Sequence, residues 1–283
     1  MAEFFSEYGI FLAKTITLVL ALVFLMAAGV STAMKGKKEA RGHLEVTHLN
    51  QEIDNQKKQI RQAIDDKHLL KLQAREDKRN TKNKNREKKK LLKNNSAPEP
   101  EKRVFVINFE GDLKASQVEN LRHVITSVLT LANPDQDEII LRLESPGGIV
   151  HGYGLAASQL NRIRSKNIPL TICVDKVAAS GGYMMACIAN RIVAAPFAVL
   201  GSIGVVISMP NFHRLLEENK VDYEMITAGE YKRTLSLFGE NTEKGREKVQ
   251  EDVQEAHLLF KNFILENRPQ LNIDEVATGE IWF

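Results

Sequence analysis

The chain has 283 residues, 43% of them apolar and 27% charged, with a formal net charge of +3. That balance excludes a wholly disordered protein, a collagen-like one and a disulfide-stapled miniprotein. Its two cysteines, Cys173 and Cys187, lie in apolar runs with no C-x-x-C and no Cys/His cluster, so neither zinc nor iron–sulfur chemistry is expected.

The charge is uneven along the chain. Residues 1–34 carry net −1, residues 35–103 carry 21 Lys+Arg against 11 Asp+Glu for net +10, and residues 104–283 carry net −6. Three regions follow: an N-terminal tail and anchor (1–34), a basic stalk or linker (35–103) and a folded domain (104–283).

Thr15 to Met34 is a run of 20 uncharged residues, TITLVLALVFLMAAGVSTAM. As a helix it would span roughly 30 Å, the hydrocarbon thickness of a bilayer, and it reads as a single transmembrane anchor. The alternatives are a buried core helix or a cleaved secretory signal ending at Ser31-Thr32-Ala33, although Glu3, Glu7 and a lone Lys14 make a poor positive n-region. Lys35, Lys37, Lys38 and Arg41 follow the run directly, and counting Lys/Arg at the membrane ends places this flank in the cytoplasm.

In the stalk, Leu49, Ile53, Ile60, Ile64 and Leu72 recur at approximate helical spacing, and residues 75–93 are dominated by Lys, Arg and Asn. A charged stalk, helical or disordered, is expected. Lys88-Lys89-Lys90 could meet anionic headgroups or nucleic acid, but no aromatic residues interleave with the charges. A solvated spacer is the simpler reading, and no nucleic-acid partner is expected. Pro98 and Pro100 end the stalk.

From Val104 the pattern becomes α/β. VFVINF (104–109), EIILRL (138–143) and PLTICV (169–174) have strand length, while Val118, Leu121, Ile125, Val128 and Leu129, and then Ala156, Leu160 and Ile163, fall at helical spacing. This alternation predicts right-handed crossovers and a mainly parallel, buried sheet. Ile192 to Phe212 is a second uncharged run, of 21 residues; Pro196, Gly201, Gly204 and Pro210 interrupt it, so it reads as short strands and turns rather than a second span.

Two glycine turns follow predicted strands: Ser145-Pro146-Gly147-Gly148, and Ala179-Ser180-Gly181-Gly182 before the expected helix YMMACIA. A serine at a strand-to-helix junction beside bare glycine N–H groups has the parts of a nucleophile with an oxyanion hole, though such junctions are common in proteins of other function. The domain's histidines, His123, His151, His213 and His257, have no context that singles one out as base, and there is no G-x-S-x-G elbow. Lysine serves instead where burial disfavours its ammonium form; Lys232, in GEYKRT, has an unusual setting.

The motifs SPGG (145–148), DKVAASGGYMMA (175–186), GSIGV (201–205) and GEYKRT (229–234), in this order and spacing, resemble the signal peptide peptidase A family of serine proteases. The resemblance implies a ClpP/crotonase-like fold and a membrane-anchored serine endopeptidase. By position, Ser180 matches the nucleophile, Lys232 the general base, Ser202 the hydroxyl that orients the lysine, and Gly148 and Gly181 the oxyanion-hole donors. It further implies homo-oligomeric rings, with serine and lysine supplied either by one subunit or by neighbouring ones, peptide substrates such as signal-peptide remnants or membrane-protein fragments, and no cofactor. A bacterial inner-membrane location also follows, with the domain on the periplasmic side, against the cytoplasmic side given by the Lys/Arg count.

Family relatives continue beyond T-G-E-x-W, so the domain ending at Phe283 is expected to be C-terminally incomplete. A catalytically silent oligomeric membrane scaffold is the alternative function, and an acyl-CoA-binding crotonase-type enzyme a more remote one.

Overall fold

The computed structural model describes residues 9–20, 44–93 and 102–283. It divides into two compact units, Met1–Val46 and Thr47–Phe283. In the first, α1 is helical over residues 9–20 and exposed throughout, with Thr15 and Thr17 hydroxyls donating to the carbonyls of Phe11 and Ala13. The anchor expected over 15–34 lies largely outside the described residues. Among those described, no helix is long and apolar enough to cross a membrane.

The second unit begins with the stalk, which is helical: α2 spans Leu49–Ile64 and α3 spans Lys67–Lys93. Asp65 and Asp66 interrupt the two, with Arg61 donating to Gln73 Oε1 (3.3 Å) across the joint.

The α/β domain follows as β1 Arg103–Glu110, α4 Val118–Leu129, β2 Asp137–Glu144, α5 Val150–Arg164, β3 Leu170–Val174, β4 Val177–Ala179, α6 Gly181–Ala186, β5 Arg191–Ala194 and β6 Val199–Gly201. The C-terminal part adds α7 His213–Glu218, α8 Glu243–Asn267, α9 Ile273–Val276 and β7 Ile281–Trp282. One sheet, ordered β1-β2-β3-β5, is parallel throughout; the other is β4-β6-β7, with β7 antiparallel.

The strand period of two decides where the core lies. Ile107 and Phe109, Ile139, Leu141 and Leu143, and Leu170 and Ile172 are buried on one face, packed with Leu121 and Ile125 of α4 and Leu160 and Ile163 of α5. The opposite face differs from the fully buried sheet that parallel strands suggest. It carries Glu138, Arg142 and Thr171 together with exposed Val104 and Val106 and half-buried Ile140 and Cys173, with Thr171 donating to Glu138 (2.9 Å) and Arg142 beside Asp175 (3.6 Å). EIILRL already carries that alternation, Ile139, Leu141 and Leu143 in and Glu138 and Arg142 out, and no helix among the described residues brings apolar cover to the second face.

The second uncharged run is not a helix. It forms β5 and β6 and then runs without regular secondary structure to Phe212, because Pro196 separates the strands and Gly201 turns at φ +93°.

Candidate active site

Three segments, far apart in sequence, meet at the end of β4. Parallel pairing sets Ala178 against Leu200 and Ala179 against Gly201, so the next residues, Ser180 and Ser202, leave the ladder side by side. On the other flank Ser145 bridges Ala178: its N–H donates to Val177 O (2.8 Å) and its carbonyl accepts from Ala179 N (3.0 Å). Both glycine turns and the GSIGV segment are thereby gathered at one point.

Ser180 has φ 52° and ψ −119°, a conformation that a non-glycine residue adopts at a cost of about 1–3 kcal/mol and that clusters at functional sites. Its backbone is held on both sides: the N–H donates to Gly201 O (2.8 Å) and the carbonyl accepts from Met184 N (2.9 Å) in the first turn of α6. The side chain is half-buried and makes no hydrogen bond among the described residues.

The SPGG turn presses against this elbow, backbone to backbone. A Cβ on Gly147, whose φ is +90°, would lie 2.7 Å from Ala179 O, from Gly181 N and from Ser180 Cβ. Gly148 is hemmed in on the other side, since a Cβ there would come 2.2 Å from Leu113 O, to which Ile149 N donates at 2.8 Å. The N–H groups of Gly148 and Gly181 have no acceptor among the described residues. Two bare donors beside a strained serine can stabilise an oxyanion at a carbonyl attacked by Ser180 Oγ.

A buried hydrogen-bond chain fixes the turn. Gly147 N donates to Ser145 Oγ (3.1 Å), Ser145 Oγ lies 2.6 Å from Tyr153 Oη, and Tyr153 O–H donates to Asp112 O (2.8 Å). With the tyrosine proton engaged by Asp112, the serine hydroxyl is the donor in the middle link. The Tyr153 side chain also packs against Gly181, where a Cβ would meet its ring at 2.4 Å, and a Cβ on Gly111 would strike both hydroxyls. Asp112 itself is fixed by its carboxylate, which accepts from the Ser116 hydroxyl (2.7 Å) and from the N–H groups of Ser116 (2.8 Å) and Lys114 (3.1 Å); these bonds, Ser116's foremost, hold its pKa below the usual carboxylate range. Burial pushes the Tyr153 phenol up, keeping it a neutral donor.

Tyr153 did not stand out in the sequence. Its signal was available: it extends the apolar face of Ala156, Leu160 and Ile163 by one turn, and a tyrosine on a core face needs a partner for its hydroxyl. The T-G-E-x-W segment was likewise not recognised as part of the site. Glu280 O accepts from Ser202 N (2.6 Å), and Trp282 covers Gly201 at the spot a Cβ would occupy. Ser202 is held with φ 50°, and its hydroxyl has no partner among the described residues.

Lys232 stands apart. Its loop is tied to α8 by the Glu230–Lys244 ion pair and by Tyr231, whose ring has Lys244 and Lys248 each 5.9 Å from its centroid. Lys232 N donates to Gly229 O (3.2 Å), while the side chain is exposed and bonds neither Ser180 nor Ser202. None of His123, His151, His213 and His257 bonds to Ser180 either. The single chain therefore assembles Ser180, Ser202, Gly148 and Gly181, and leaves the lysine pointing outward on a secured loop.

Residues 3–160 match the peptidase family S49 N-terminal model and residues 162–283 the peptidase family S49 model. The chain belongs to peptidase family S49.

Among its relatives, the probable protease SohB of Haemophilus influenzae is 48% identical over 283 residues, 99% of this chain and 80% of that one. The probable protease SohB of Buchnera aphidicola subsp. Acyrthosiphon pisum is 50% identical over 277 residues, covering 98% and 79% of the two chains. A solved structure of a membrane-bound stomatin-specific protease mutant with a substrate peptide aligns with 38% of this chain and 48% of its own, at 25% identity and a TM-score of 0.32. Family S49 membership supports a peptidase function for this mixed α/β domain.

Proposed function

We propose that this chain is a membrane-anchored serine endopeptidase of the bacterial inner membrane, with a ClpP/crotonase-like domain, that works through a Ser180/Lys232 dyad in a homo-oligomer. The observation that carries the reading is the strained Ser180 elbow with the bare N–H groups of Gly148 and Gly181 beside it. Unprotonated Lys232 accepts the Ser180 proton, Oγ attacks the peptide carbonyl, and the two N–H groups hold the resulting oxyanion. The lysine returns the proton to the leaving amine, and water then hydrolyses the acyl-enzyme. Ser202, alongside Ser180 at the end of the β4–β6 ladder, orients the lysine. No cofactor enters these steps.

The outward Lys232 on its braced loop supports supply of the base to a neighbouring subunit. Subunit mixing tests this. Ser180→Ala and Lys232→Ala are each expected to abolish peptide hydrolysis, and oligomers formed from both together to recover part of it, because some interfaces then join an intact Ser180 to an intact Lys232. Full activity in either variant would defeat the dyad; dead mixed oligomers, with assembly verified, would place both groups in one subunit. The same exposed lysine favours one rival, a catalytically silent membrane scaffold, which predicts that no fluorophosphonate reacts at Ser180 in the assembled protein.

A further inference from the structure

The stalk carries a pattern that the catalytic reading does not use. In α3, Lys67, Lys71, Arg75, Lys78, Lys82 and Arg86 recur at spacings of four, four, three, four and four. At 100° per residue they fall within an arc of about 100° on one face of a helix about 40 Å long. Lys89 continues the row, and all seven are exposed. Glu76, Asp77 and Glu87 fall outside that arc. A solvated spacer has no need to sort its charges in this way; it gains more from alternating signs at i and i+4, which support the helix.

We propose that this face of α3 is a docking surface for an anionic lipid bilayer, along which the helix lies flat. A straight row of cations matches a plane of headgroups, and each cation near such a surface contributes about a fivefold preference for it. α3 contains no Phe, Tyr or Trp, so it lacks the stacking platforms by which single-stranded nucleic acids are held. The long uncharged run from Thr15 to Met34 lies upstream in the same chain and, as an anchor, would keep α3 within reach of the surface. The inference does not depend on catalysis.

The test uses endoproteinase Glu-C, because Glu76 and Glu87 lie in α3 but off the cationic row. The full chain is reconstituted in phosphatidylcholine vesicles with or without about 30 mol% phosphatidylglycerol. Cleavage at Glu76 and Glu87 should slow about tenfold or more on the anionic vesicles, and the protection should vanish at about 0.5 M salt. A Lys71→Gln, Lys78→Gln, Lys82→Gln, Arg86→Gln variant should lose most of that protection; glutamine keeps comparable helix propensity, and circular dichroism verifies that the helix survives. Equal cleavage of the unaltered chain on both vesicles would overturn the proposal, as would protection by polyuridylate that matches or exceeds that of the anionic vesicles.

Discussion

Tyr153→Phe removes one oxygen and reaches the site through the chain Asp112 O, Tyr153 Oη, Ser145 Oγ, Gly147 N. Phenylalanine retains the ring that packs on Gly181, so that wall of the site stays in place. What changes is that the fully buried Ser145 hydroxyl loses its acceptor and the Asp112 carbonyl loses its donor. Leaving such groups unpaired costs about 1–3 kcal/mol of stability, and each kcal/mol lowers the melting temperature by about 2–4 °C for a domain of this size. The Ser145 hydroxyl will then turn to another acceptor, loosening its hold on Gly147 N and with it the aim of Gly148. Complete loss of one oxyanion donor costs about 10²–10³ in kcat, so a partial misalignment should cost about 10- to 100-fold. KM should stay within about threefold, because the donors act on the oxyanion and not on the ground state. The assay is hydrolysis of an apolar fluorogenic peptide at 25 °C, with active sites titrated by fluorophosphonate so that unfolded protein is not counted. Ser145→Ala should act in the same direction and be non-additive with Tyr153→Phe. An unchanged kcat with a lowered melting temperature would refute the positioning argument and leave the chain of bonds a purely stabilising device.

Gly147→Ala should reduce activity more than about 100-fold, because its methyl would sit 2.7 Å from Gly181 N and Ser180 Cβ at a φ of +90°. Gly154→Ala, with open space around it inside α5, should preserve activity and raise stability by about 0.5–1 kcal/mol. Asp137, buried and bonded to Arg103 Nε (3.0 Å) and Asn133 N (2.7 Å), has its pKa held below the usual carboxylate range, first by the Arg103 side chain. Its contribution is present above the unfolded-state pKa of about 4 and is lost as pH falls through the lower folded value. Asp137→Asn should therefore destabilise the domain at pH 7 by about 1–3 kcal/mol and flatten this acid limb in denaturant melts; an acid limb identical to that of the unaltered chain would assign it to other carboxylates. Burial pushes the Cys187 thiol up to about 12, so iodoacetamide at about pH 8 should modify it only after unfolding, as read by peptide mass spectrometry.

Much of the architecture was legible in the one-dimensional pattern. Alternation in EIILRL and PLTICV, and the three-to-four spacing of Leu121, Ile125, Leu160 and Ile163, record which side of each element avoids water, and that preference is local. The same locality makes the cationic row of α3 readable once the helix is known to run unbroken from Lys67 to Lys93. Glycine turns are legible too, because Gly147 occupies a left-handed conformation that side chains resist.

Partnership across the sequence is what the tertiary structure alone decided. The β4–β6 register puts Ser180 beside Ser202, and the Ser145–Ala178 bridge brings the first glycine turn against the second. No periodicity encodes a register between strands so far apart. Nor does sequence show that the Tyr153 hydroxyl bonds to Ser145 while its ring lies on Gly181, that Trp282 covers Gly201, or that the Lys232 loop is braced on α8 with its amine outward. Burial preference is a property of one residue and its near neighbours, whereas a hydrogen bond or a backbone contact needs two segments placed to within a fraction of an ångström, and only the packed chain sets that distance.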